Sequence, residues 1–199
     1  MCANPAHVRS LAFASLLVGY RRGMAPAATT QRPRAPGFIA GIGLGGFIDG
    51  IVLHQILQWH HMLTGTDDHP ATTVAGLEAN TLADGFFHLA TWVIVAVALV
   101  LTVNAWRTGR LAPPWRFQLG MLLAGWGAFN LVEGVINHQL LGLHHVRDDL
   151  GAPLGWDLGL LAFGALLVAG GLILARDGDL QEPRRVRPPA PRAQPRPGA

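Results

Sequence analysis

Lysine is absent from this 199-residue chain, cysteine and tyrosine occur once each, and charged residues make up only 14% of it. The single Cys2 excludes an intrachain disulfide and any cysteine-based metal site within the apolar segments. With no lysine, no reactive cysteine and no Gly-x-Ser-x-Gly turn, covalent catalysis by a nucleophile has no support. Gly41-Ile42-Gly43-Leu44-Gly45-Gly46 is glycine-rich, but it lies inside an apolar run with no strand before it, which removes the basis for nucleotide binding. The chain is instead rich in apolar residues, 50% of the total, with a mean hydropathy of +0.32. That balance is the mark of a membrane protein.

Four stretches, about 38–60, 82–105, 117–141 and 154–175, reach the roughly 20 residues needed to cross an apolar layer of about 30 Å. The expected fold is therefore all-α, an integral membrane four-helix bundle made of two tandem two-helix repeats. All fifteen basic residues are arginine, and they gather before the first span, in the second connection (Arg107, Arg110, Arg116) and after the fourth span. The first and third connections hold Asp67, Asp68, Glu78, Asp148 and Asp149 against Arg147 alone. By the positive-inside rule both termini are cytoplasmic, as expected of a multi-pass protein of the cell membrane. Residues 1–36 read as a disordered extension, with Met24 a candidate start, residues 37–178 as the membrane domain, and residues 179–199 as a disordered Arg/Pro-rich cytoplasmic tail. The tail's arginines have no aromatics between them, so anionic lipid and not nucleic acid is the expected neighbour.

One pattern occurs twice. Asp49-Gly50-Ile51-Val52-Leu53-His54-Gln55 ending in His60-His61 returns 84 positions later as Glu133-Gly134-Val135-Ile136-Asn137-His138-Gln139 ending in His144-His145. Gly41 and Gly43 align with Gly125 and Gly127 at the same offset. Two spans per half return the chain to its starting side, so the halves share one orientation and spans one and three should face each other. Gly41/Gly45, Gly46/Gly50, Gly120/Ala124 and Gly155/Gly159 have the four-residue spacing of close-packing helix faces.

On continuous α-helices, His54 and His61 share a face about 10.5 Å apart along the axis, as do His138 and His145. This predicts two tiers: His60, His61, His144 and His145 at the outer interface, and His54 and His138 about 9 Å deeper. Asp84 and His88, one turn apart on the second span, would join the lower tier. His54, His88 and His138 then form a candidate ligand set for Zn, Cu or Fe, with His60, His61, His144 and His145 as further candidate metal ligands and His54 and His138 alternatively the axial pair of a haem. Asp49 and Glu133 fall about 140° around the helix from the histidine that follows each, which makes them candidate supporting groups or a proton path, along with Asp84, Gln55 and Gln139. For each histidine taken singly, a hydrogen-bonding or interfacial role is the competing reading.

Gly45-Gly46-Phe47-Ile48-Asp49-Gly50-Ile51-Val52-Leu53-His54-Gln55, His60-His61, Asp84-Gly85-Phe86-Phe87-His88, Phe129-Asn130-Leu131-Val132-Glu133-Gly134 and His138 to His145 resemble domain of unknown function family 2243, bacterial four-helix membrane proteins. The likeness spans about residues 37–178 and implies the architecture without an activity. Three functions are open to such a chain: a metal- or haem-binding redox or metal-handling protein, a small proton-coupled transporter or channel using Asp49 and Glu133, or an assembly factor within a larger membrane complex. The expected partners are the lipid bilayer and a homo-oligomer or larger complex.

Overall fold

The computed structural model describes residues 33–108, 110 and 115–180. Most of the N-terminal extension, Met24 included, and almost all of the tail lie outside the described residues. Among the described residues every regular element is helical. Helix α1 (Ala35–Ile48) runs without interruption into a π-helical segment, Asp49–Ile56. Helix α2 covers Val74–Arg107, and α3 (Trp115–Glu133) again continues as a π-helix, Gly134–Leu140. A single 3-10 turn at Asp148–Leu150 precedes α4 (Leu154–Leu180).

Four helical segments are long and apolar enough to cross a membrane: Ala35–Ile56, Val74–Arg107, Trp115–Leu140 and Leu154–Asp177. Helix α2 starts at Val74, eight residues before the span read from sequence, because its polar first turns (Glu78, Asn80) are still helical and Thr73 caps them by accepting from the Gly76 N–H. At about 1.5 Å per residue its 34 residues extend roughly 50 Å, well beyond the apolar layer.

The inner pair is α1 and α3, each 44% buried across its apolar window, whereas α2 and α4 are 11% and 17% buried and turn most of their surface outward. Exposed Phe86, Trp92, Val100, Leu166 and Ile173 on α2 and α4 suit hydrocarbon surroundings. Glycines set the inner contact: a Cβ on Gly41 would lie 2.0 Å from the Leu122 carbonyl oxygen, and one on Gly125 2.0 Å from that of Phe38. Gly43 and Gly46 face Val95 and Thr91 of α2, while Gly120 and Gly127 face Gly171 and Gly164 of α4. Backbones this close gain dispersion contacts that apolar solvent cannot supply. Gly155 and Gly159 do not pack in the expected way, since an added Cβ there meets nothing within 4 Å. Phe117, Met121, Ala175 and Phe38 form the apolar core at the end away from the histidines.

Candidate functional site

The π-helical winding changes which residues share a face. In an α-helix Asp49 and His54 diverge by about 140°, but where the backbone bonds i→i+5 residues five apart stand one turn above each other. His54 Nε2 accordingly lies 3.2 Å from Asp49 Oδ2, and His138 Nε2 lies 2.9 Å from Glu133 Oε1. The separate acidic stripe expected on an α-helix is therefore absent, and each acid faces the histidine that follows it.

The two expected tiers also merge. Beyond Ile56 the chain widens further, with Leu57 N donating to Val52 O and Trp59 N to Leu53 O, and it reverses at Gln58, whose φ is +52°. In the other half Leu141 N donates to Ile136 O and Leu143 N to Asn137 O, with Gly142 at φ +57°. The reversals fold His60 and His144 back over the lower histidines. Ring centroids are 4.5 Å apart for His54 and His60, 4.9 Å for His138 and His144, and 4.7 Å for the stacked His60 and His144. All four rings are buried.

Two aspartates hold the outside of this cluster. Asp84 of α2 accepts from His54 Nδ1 (2.9 Å), His61 Nδ1 (2.7 Å), Gln55 Nε2 (3.1 Å) and the Met62 N–H (3.0 Å). Asp157 of α4 accepts from His145 Nδ1 (2.6 Å), Gln139 Nε2 (3.2 Å) and the Val146 N–H (3.0 Å), and its Oδ1 lies 3.1 Å from His138 Nδ1. Two more bonds cross between the loops that follow the inner helices: His60 Nδ1 donates to Val146 O (3.1 Å) and His144 Nδ1 to Met62 O (3.2 Å). Each of the four core rings thus has Nδ1 against an oxygen at the rim, which leaves Nε2 turned inward.

The inward atoms are nitrogen and carboxylate oxygen only. His54 Nε2, His60 Nε2 and both ring nitrogens of His138 are buried without a hydrogen-bond partner, the His138 Nδ1 contact with Asp157 being one of proximity. His144 Nε2 lies 2.8 Å from Glu133 Oε1, and His60 Nε2 lies 3.8 Å from Asp49 Oδ1. Within His54, His60 and His144, and again within Glu133, His138 and His144, one ligating atom per residue lies within 4.8 Å of the others. Burial holds the His60 imidazole far below its usual range, so its lone pair stays free.

Of the residues singled out from sequence, His61 and His145 sit at the rim and face the aspartates, as do Gln55 and Gln139. His88 and Asp49 are not among the grouped ligating atoms, although Asp49 meets His54 and His60 directly; the buried His88 Nε2 lies where a Gly50 Cβ would come within 2.5 Å. Asp157 was missed. It lies 73 residues after Asp84, outside the 84-residue offset, although an acid in the first turn of an apolar run is itself a signal. Above the cluster Arg147 lies over Trp59 and Trp156, 4.3 and 5.1 Å from their ring centroids, and makes a bidentate pair with Asp149. Thr64 donates to Asp148 across the same loops.

The family model described as predicted membrane protein (DUF2243) matches residues 36–178. The chain belongs to this family. No curated protein and no solved structure matches it. This DUF2243 protein is a multi-pass membrane protein whose histidines and acids group at one end of the bundle.

Proposed function

We propose that this protein binds transition-metal ions through His54, His60, His138 and His144 together with Asp49 and Glu133, and serves in redox chemistry or metal handling. The observation that carries this reading is the pairing of acceptors at the centre. His144 Nδ1 faces the Met62 carbonyl, so its proton belongs there, yet Nε2 stands 2.8 Å from Glu133 Oε1. A lone pair and a carboxylate oxygen repel unless a cation or an extra proton lies between them. Rim acceptors that fix a ring's orientation and leave Nε2 free are the usual support of a metal ligand.

Mixed imidazole and carboxylate donors suit Zn or Fe, and Cu(II) among copper states. Haem fits less well: the oxygens 3.2 and 2.9 Å from His54 Nε2 and His138 Nε2 occupy the space in which a macrocycle would lie. In this reading the two halves are tandem repeats, supported by the matching contacts of Asp84 and Asp157 and by the reciprocal His60 and His144 bonds. The arginine distribution favours cytoplasmic termini in the cell membrane, with the metal cluster in the outer half of the bundle.

Metal analysis of the full chain purified in mild detergent tests the reading. A stoichiometric transition metal is expected, and His54→Ala with His138→Ala should abolish it while the helical circular-dichroism signal is retained. Wild-type protein that neither carries nor takes up a transition metal would refute it.

A further inference from the structure

We infer that the cluster takes two divalent transition-metal ions per chain, at inequivalent positions; this rests on the metal-binding reading above. The donors divide into two sets of one carboxylate and two imidazoles: Asp49 with His54 and His60, and Glu133 with His138 and His144. In each set the carboxylate approaches both imidazole Nε2 atoms, at 3.2 and 3.8 Å from Asp49 and at 2.9 and 2.8 Å from Glu133. Two donors each bound at roughly 2.0–2.1 Å to one ion at 90–110° stand roughly 2.9–3.4 Å apart. In the Glu133 set one oxygen, Oε1, already meets both imidazoles at that spacing, whereas Asp49 presents Oδ2 to His54 and Oδ1 to His60 and must draw in to hold an ion.

Charge leads to the same count. Asp49, Asp84, Glu133 and Asp157 are all buried, and their contacts are with histidines, the two glutamines and backbone N–H groups. Arg147 pairs instead with Asp149 at the rim. With the four ligand imidazoles neutral, as metal binding requires, one divalent ion would neutralise half of these four carboxylates; two neutralise all of them. In a low-dielectric interior an uncompensated charge is costly, so the complete complement is the stable one. Three protein donors per ion also leave coordination positions open, which is the arrangement of reactive rather than purely structural sites.

The inequivalence follows from side-chain length. Glu133 reaches its histidines with one more methylene than Asp49 has, and its distances are correspondingly shorter. The Glu133 set should fill first, and the Asp49 set about tenfold more weakly or beyond, the scale of a slightly misplaced ligand shell.

The test is titration of the chelated full chain in detergent with Co(II), read by visible absorption and by native mass spectrometry. Two ions per chain, added in two steps, are expected. Glu133→Gln should remove the tighter step, Asp49→Asn the weaker one, and Asp49→Glu should bring the two steps closer. If the carboxylate variants aggregate, the wild-type mass alone decides between one ion and two. A single ion per chain overturns the two-ion inference and leaves the metal reading intact. No bound ion overturns both.

Discussion

Asp84→Asn is the most telling single change, because it keeps shape and volume while altering only what the rim offers the histidines. Asp84 Oδ1 receives His54 Nδ1 and the Met62 N–H; Oδ2 receives His61 Nδ1 and Gln55 Nε2. An asparagine can present its oxygen to one of these pairs, and its NH2 then confronts the two donors of the other. In either case one buried imidazole donor is left unpaired, while exposed Gln55 or the half-buried Met62 N–H is nearer to water; at about 1–3 kcal/mol for the buried donor, the fold should weaken by roughly that amount. If the NH2 faces His54, that ring must change tautomer, which places the proton on Nε2 and removes the lone pair facing Asp49. Loss of such a supporting group typically weakens metal binding about 10–100-fold, or roughly 1.4–2.8 kcal/mol. The assay is competition for Zn(II) against a fluorescent chelator, on protein whose helix content and monodispersity match wild type, with Asp149→Asn as the rim control. Asp84→Asn protein that binds Zn(II) as tightly as wild type would show that the aspartate does not orient a ligand.

Other outcomes follow from the packing and the site. Gly41→Ala places a Cβ 2.0 Å from a backbone oxygen, which cannot yield, so it should cost about 3 kcal/mol or more; Gly85→Ala, facing open space, should be neutral or stabilising by up to about 1 kcal/mol. Thermal unfolding in detergent separates the two. His88→Gln should leave the metal content unchanged, because His88 belongs to neither ligand set and meets none of the core carboxylates; elemental analysis showing metal loss would contradict the ligand sets. His60 is neutral when buried but titrates near 6.5 once unfolded. Below that pH the unfolded chain binds a proton that the folded chain does not, so stability of the chelated protein should fall by up to about 1.4 kcal/mol per pH unit on account of this group. His60→Asn should flatten that part of the pH profile of the melting temperature.

Much of the architecture was legible because length and apolarity alone determine what can cross a membrane, and Gly41 and Gly125 marked the inner contact. The helix start at Val74 was not, since polar first turns look like loop when only apolar residues are tallied. Within the site, the recurring acids and histidines were evident, but their grouping was not. Periodicity assumes 3.6 residues per turn, and the segments Asp49–Ile56 and Gly134–Leu140 wind more widely, so faces separated on paper coincide in space. Asp157 escaped for a different reason. The connection from Met62 to Asp84 covers 22 positions and that from Val146 to Asp157 covers 11, so a fixed offset cannot align the two aspartates. Side chains equivalent in three dimensions need not be equivalent in register.

The crossed bonds from His60 to Val146 and from His144 to Met62 have a consequence for biogenesis. Synthesis delivers the first helix pair to the membrane well before Val146 exists, and until then His60 has no acceptor to fix its ring. The first ligand set therefore cannot mature when its own helices insert; it waits for the last loop to arrive. On the metal-binding reading, loading of that set waits for the third connection, and a chain cut before Val146 would display histidines without offering a finished site.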